Sequence, residues 1–398
     1  MLLNVSRAKA VLRAEGVDGL VSSTLENNFY LSGVWDDGQE LFPLDSEFYV
    51  VTTADTPEKG TVVCSIGAAD LTLSGYDSLA GVETFGTFFR DIFDGIPIGA
   101  DEERVKKITA AHTVGRPSVD ALVAALTNQG LANGVVAVDE RGANRTLLQT
   151  LAEKLPNAKF VPASGILRNI RAVKTDEELE RVADALRITE AGLRAAFELF
   201  QEGTSEREMQ LAFERSVTEA GARTGFCLVR FGVGLALGQI PASPDIRMKA
   251  NDFAFFDVGI KHRGYKSDIG RLVCLGEPSD EMRGLFDASK AGQQVAIDMM
   301  RPGVVAKDVF EAAVQAVIDA GIPTYKRQHV GHGIGIEYYD LPVLTPTSET
   351  VLEANMVFEV ETPYYRLGVG GAFIEDTVIV REDGPEIITT LSRDLIVL

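Results

Sequence analysis

Apolar residues recur every three or four positions at Val5, Ala8, Val11 and Leu12, a spacing that predicts a helix over 5–15 ending at Gly16. The pattern then tightens into short runs. Residues 19–22, 47–53, 61–66, 96–100, 134–138 and 159–162 read as strands, and helical spacing returns near 117–129 and 144–155. Strands and helices mixed in this way predict an α/β domain over 1–165. Its one histidine, His112, stands alone and reads as a surface or capping residue rather than a ligand.

A basic, weakly periodic connector, GILRNIRAVKT at 165–175, leads into a second domain expected over 166–398. Thr175 and Glu178 have the spacing of a capping box, in which each side chain satisfies the other's backbone N–H. Leu179, Val182, Leu186, Leu193, Phe197 and Phe200 then share one helical face as far as Gly203. Ser205 with Glu208 opens another helix that reaches Gly221. Two more are expected at about 281–300 and 308–320, stopped by Arg301-Pro302-Gly303 and Gly321. Two helix pairs set among strands make an α+β half, and their likeness allows a pseudo-twofold.

Between the helix pairs, FAFFDVGIKHRGYKSDIGRLVCL at 253–275 reads as a hairpin. Side chains alternate across a strand, so Phe253, Phe255, Asp257 and Gly259 share one face, and Asp268, Gly270, Leu272 and Cys274 share a face of the second arm. A turn centred on His262–Arg263 sets Asp257 directly opposite Asp268, with Cβ atoms roughly 4.5–5.5 Å apart. A bulge at Gly264 would shift that register by one. Like charges so placed destabilise a hairpin unless a shared proton or a bound cation offsets them. The hairpin is where a metal site is expected.

Composition narrows the partners. A formal charge of −20 over 398 residues disfavours phosphate backbones and anionic membranes, so neither nucleic acid nor membrane is expected as a partner. Cys64, Cys227 and Cys274 are odd in number and unpaired in spacing, which points to a reducing compartment. No segment approaches the roughly 18 apolar residues of a membrane span, and no signal-peptide core opens the chain. The expectation is a cytoplasmic, two-domain protein.

Three later stretches could complete a metal site. In HVGHGIG at 329–335, glycines flank His332 and let its imidazole approach another group closely. In NMVFEVE at 355–361, Glu359 and Glu361 share one strand face, which reads equally as a solvated face or as ligands. In GGAFIEDTVIV at 370–380, Glu375 lies inside an apolar run, where a carboxylate must be paired or bind a cation. Asp257, Asp268, His332, Glu361 and Glu375 together offer enough donors for two divalent cations with bridging carboxylates. Mostly oxygen donors favour Mn, with Co, Fe or Zn admitted by availability.

FFDVGIKHRGYKSDIGR with its two aspartates eleven apart, GHGIG at 331–335, MVFEVETP and GGAFIEDTVIV resemble the pita-bread metallopeptidase family of aminopeptidase P, prolidase, methionine aminopeptidase and creatinase. Residues 1–165, with NNFYLSGVWDDG, look like the creatinase-type N-terminal domain. The resemblance implies an α+β pita-bread catalytic domain preceded by an α/β domain, a dinuclear centre on the five ligands, and a homodimer. It also implies that Glu361 moves a proton to the leaving nitrogen of a small Xaa-Pro peptide. Two family histidines that contact the scissile amide and the oxyanion are replaced here, by Ala242 and Tyr339. Tyr338, Tyr339 or His329 could supply the missing donors. Hydrolysis of a non-peptide C–N bond, lyase chemistry on a small metabolite, and a metal-binding interaction protein remain open beside the peptidase reading.

Overall fold

Apolar alternation in the first part of the chain builds one sheet. A computed structural model describes residues 2–93, 95–143 and 145–398, and divides them into one unit ending at Arg171 and another spanning Ala172–Leu398. In the first unit, β1 (Gly19–Ser22), β2 (Tyr49–Thr53), β3 (Thr61–Ser65), β4 (Gly81–Phe85), β5 (Val135–Val138) and β6 (Lys159–Pro162) lie in the order β4-β3-β2-β1-β5-β6. Strand β2 runs antiparallel to β1 and β3, and the remaining pairs are parallel. Val21, Val51 and Val63 pack on Leu122, Leu126 and Leu151 from the helices Ser118–Asn128 and Arg145–Lys154. Residue 144, the first of the second expected helix, lies outside the described residues.

The strand expected at 96–100 does not form. Ile96 is 62% exposed, and Ala100–Thr109 is a helix whose Glu102 accepts a hydrogen bond from the Gly99 N–H. Asp101, Glu102 and Glu103 complement the unpaired N–H groups of that first turn, which outweighs the short apolar run before it. The connector is also more regular than its sequence suggests. Ser164–Ala172 is helical, with Leu167 and Ile170 fully buried and Arg171 donating to Asn27 Oδ1 at 2.5 Å. His112 is held structurally, its ring nitrogens 2.9 Å from Thr84 Oγ1 and 3.0 Å from the Gly86 carbonyl.

The second unit carries β7 (Arg223–Phe231), β8 (Phe253–His262), β9 (Tyr265–Cys274), β10 (Gly331–Gly333), β11 (Asp340–Val343) and β12 (Val357–Glu361). A short ribbon of β13 (Tyr364–Arg366) and β14 (Gly370–Ala372) precedes β15 (Glu375–Arg381). The main sheet path is β11-β10-β12-β15-β9-β8-β7. Both capping boxes form, at Thr175 and Ser205. Helices Asp176–Phe197 and Glu206–Glu219 lay Leu186, Leu193, Met209 and Phe213 on Phe256, Val258, Ile260 and Ile269. Helices Asp280–Asp298 and Ala306–Asp319 lay Ile297, Val309 and Phe310 on Val330, Phe358, Val360 and Val378. One sheet face is thus spent on the helices. By alternation the other face of β8, β9, β12 and β15 carries Asp257, Asp268, Glu359, Glu361 and Glu375.

The hairpin register differs from the sequence expectation. The turn centres on Arg263–Gly264, both at positive φ (49° and 85°), with His262 paired to Tyr265. Two positive φ values are what a two-residue turn matched to strand twist requires, and Gly264 supplies one without strain. Asp257 therefore faces Gly270, and Asp268 faces Gly259. The aspartates are diagonal neighbours, roughly 7–8 Å apart rather than directly opposed. A shift of this size keeps both on one face.

Candidate metal centre

Strand pairing brings the acidic residues together. Glu361 of β12 pairs with Glu375 of β15, and Glu375 pairs with Gly270 of β9. The β9–β15 approach is close because Gly270 has no side chain: a Cβ there would stand 1.8 Å from Phe373 Cε1. On the helix side of the same strands, Arg271 donates to Asp376 Oδ1 at 2.6 Å and to the Glu375 carbonyl at 2.7 Å. Gln293 and Arg393 complete the hydrogen bonding of Asp376. This buried pair fixes the backbone that presents Glu375, and sequence reasoning missed it. The signal was available, since a charge adjacent to Glu375 in an apolar strand must be paired on the opposite face.

Ligand atoms of Asp268, His332 and Glu375 lie within 4.8 Å of one another. Asp257 and Glu361 fall outside that triad but line the same cavity of about 570 Å³, so all five expected ligands share one space. His332 is 1% exposed, and its Nδ1 lies 3.1 Å from the Gly333 carbonyl. A carbonyl only accepts, so Nδ1 carries the proton and the Nε2 lone pair faces Glu375 Oε1 at 3.9 Å. Burial lowers the His332 pKa to about 4, keeping the ring neutral.

The carboxylates are held where ionisation is costly. Burial, reinforced by Glu361, pushes Asp257 up to about 8. Burial and then Asp257, Glu359 and Glu361 raise Asp268, and burial and then Asp268 raise Glu375. Burial raises Glu361 as well, against the nearby Arg327. Asp268 Oδ1 is buried with no hydrogen-bond partner among the described residues. A neutral imidazole lone pair, an unpartnered carboxylate oxygen and crowded acids together fit divalent cations, which would relieve the repulsion and the unmet hydrogen bonding at once.

Other expected residues divide. His329 places Nδ1 3.3 Å from Glu361 Oε1, and burial, Arg327 and His332 lower its pKa to about 4. Tyr339 stacks on His332 with ring centroids 3.7 Å apart and 17° between planes. Tyr338 lines the cavity, but its hydroxyl is wedged against Gly225, whose missing Cβ makes the room. Ala242 does not line the cavity and packs against the hydrophobic core; Gln239 lies on the wall instead. Glu359 is buried behind the site, accepting from Thr377 Oγ1 at 3.0 Å, so β12 presents no solvated face. Among the described residues no helix is long and apolar enough to cross a membrane.

Residues 180–382 match the model of Metallopeptidase family M24, and residues 97–173 match the Creatinase/Prolidase N-terminal domain. An Xaa-Pro dipeptidase of Lactobacillus delbrueckii subsp. lactis is 31% identical over 266 residues, covering 66% of this chain and 72% of its own. An Xaa-Pro dipeptidase of Pyrococcus furiosus is 29% identical, covering 63% and 72%. Among solved structures, a dipeptidase from Pyrococcus horikoshii aligns with a TM-score of 0.79 at 23% identity over 99% of both chains. A dipeptidase from Mycobacterium ulcerans aligns with a TM-score of 0.76 at 26% identity, over 99% of this chain and 96% of its own.

Proposed function

The chain belongs to metallopeptidase family M24, with a creatinase-type domain ahead of a pita-bread catalytic domain, and from that premise we propose that it hydrolyses Xaa-Pro bonds in short peptides. It is a metal-dependent hydrolase. The observation that carries the substrate reading is the convergence of Asp257, Asp268, His332, Glu361 and Glu375 on one cavity, in a chain whose curated relatives include Xaa-Pro dipeptidases. Those relatives favour a peptide over the non-peptide C–N substrate.

In this reading the five side chains hold two divalent cations, manganese foremost given the oxygen-rich donor set. When bound, such cations polarise the scissile carbonyl and acidify water. The chain's own residues do the rest. Glu361 carries a proton from the attacking water to the leaving nitrogen, with the His329 ring nitrogen 3.3 Å from its Oε1. His332 keeps its Nε2 lone pair available through the Nδ1–H bond to Gly333. Tyr339, seated on His332, offers its phenol to the developing oxyanion. A homodimer in the cytoplasm belongs to the same proposal, and light scattering on the purified protein tests the dimer.

The direct test is release of proline from Ala-Pro by protein dialysed against manganese. Turnover that stops on chelation and returns with metal is the expected result. Metal-loaded protein that cleaves no Xaa-Pro peptide refutes the proposal.

A further inference from the structure

One wall of the cavity is a loop with little core of its own. Ala236, Gly238 and Gln239 line the cavity from the segment that leaves β7 at Phe231. Within 232–243, Leu235 is the one fully buried apolar side chain, packed with Phe255, Leu272 and Phe373, while Val233, Leu237 and Ile240 are exposed. A segment with so few buried contacts opens easily unless something else holds it.

Both ends of the loop meet on a buried ion pair. Arg230 Nη1 donates to Glu206 Oε2 at 2.8 Å, and both side chains are buried. Glu206 Oε1 accepts from the Phe231 N–H at 2.9 Å, where the loop begins, and Oε2 accepts from the Ser243 N–H at 3.0 Å, where it ends. Arg230 Nη1 also reaches the Pro241 carbonyl at 3.3 Å. Its guanidinium lies against Gly234, where a Cβ would stand 3.3 Å from Nη2. An apolar pair of similar volume would often serve stability as well as a buried ion pair. What it could not do is bond the backbone at the two ends of a loop.

We propose that Glu206 and Arg230 are positioning residues for the substrate: their ion pair closes the loop and fixes Ala236, Gly238 and Gln239 as a wall against the bound peptide. This rests on the Xaa-Pro reading and deepens it. Neither side chain lines the cavity, so both act through the loop. The loop carries none of the five expected ligands, so loosening it should cost binding rather than chemistry.

The test compares manganese-loaded wild type, Glu206→Gln and Glu206→Gln/Arg230→Met on Ala-Pro. Glutamine keeps one acceptor oxygen and turns the other into a donor, which releases one end of the loop and strands the guanidinium. The double variant removes the stranded charge as well, so Tm should fall in Glu206→Gln and recover in the double variant. Misplacing a binding group by about 1 Å can cost about 10²-fold, so KM should rise about 10- to 100-fold in both variants. With uniform binding lost, kcat and bound manganese should stay within about twofold of wild type. Hydrogen exchange read by mass spectrometry should quicken at 231–243 but not in β8 or β9.

A KM that returns to the wild-type value together with Tm in the double variant means that the pair only stabilises the fold, and overturns the proposal. So does a loss of kcat and manganese in step with the rise in KM, or exchange that quickens throughout the sheet. Exchange does not depend on the substrate and separates this inference from the peptidase reading. If wild type cleaves no Xaa-Pro peptide, that reading fails by itself. Faster exchange confined to 231–243 in the double variant then still supports the clamp, and unchanged exchange overturns it.

Discussion

Gly270→Ala tests whether the close approach of β9 to β15 builds the site. An added Cβ would stand 1.8 Å from Phe373 Cε1, 2.4 Å from Cδ1 and 2.6 Å from Cζ. Carbon atoms pack at about 3.5–4.0 Å, so the ring would have to retreat by nearly 2 Å. It has little room, being 1% exposed and held edge-on to Phe255 with centroids 4.9 Å apart. Overpacking of this kind costs typically 1–3 kcal/mol, and the lack of an escape route places this case near 3 kcal/mol. For a unit of this size that lowers Tm by about 6–12 °C. Because Gly270 pairs with Glu375, the same shift should separate Asp268 from Glu375 and weaken manganese binding. Phe373→Ala removes all three atoms that clash, at a cost of about 3–5 kcal/mol on its own. In a double-mutant cycle read by thermal melting, the double variant should therefore be less damaged than the sum by roughly 2 kcal/mol. Simple additivity, or unchanged metal affinity in Gly270→Ala, would refute the reasoning.

Further outcomes follow from the metal centre. Asp268→Ala should retain far less manganese than wild type after dialysis, and should lose the metal-induced rise in stability, about 2.7 kcal/mol at a hundredfold excess over Kd; equal metal content in both proteins counts against the site. Tyr339→Phe keeps the ring on His332 and removes only the hydroxyl, so kcat/KM on Ala-Pro should fall about 10²-fold, roughly 2.7 kcal/mol, and an unchanged rate excludes the phenol as a donor. Asp257 stays protonated to about pH 8 in the metal-free fold but ionises near its ordinary 3.8 when unfolded. Its contribution to stability is present below about pH 4 and drains away up to about pH 8. Chelated wild type should thus lose more stability between pH 5 and pH 8 than Asp257→Asn, with manganese removing the difference. Identical slopes without metal contradict that assignment.

The sequence by itself determined what parity and local pattern can determine. Asp257 and Asp268 share a face because strand alternation survives any register shift by an even number, and the capping boxes at Thr175 and Ser205 close within four residues. The donor types were legible in order along the chain, and the burial of Glu375 followed from the apolar residues around it. The fold family followed from those motifs. What lay between distant residues was left to the tertiary structure. The turn at Arg263–Gly264 set the register by its backbone angles, where residue type alone permitted a neighbouring centre. Glu359 and Glu361 could have faced water until β10 and β15 closed on both sides of β12. Ala242 aligns with a substrate position yet packs half-buried against the core, while Arg327, in a loop without periodicity, reaches the cavity wall. Periodicity assigns a side chain to a face of its own element, but the charges that share a cavity are chosen by chain crossings that no local pattern encodes.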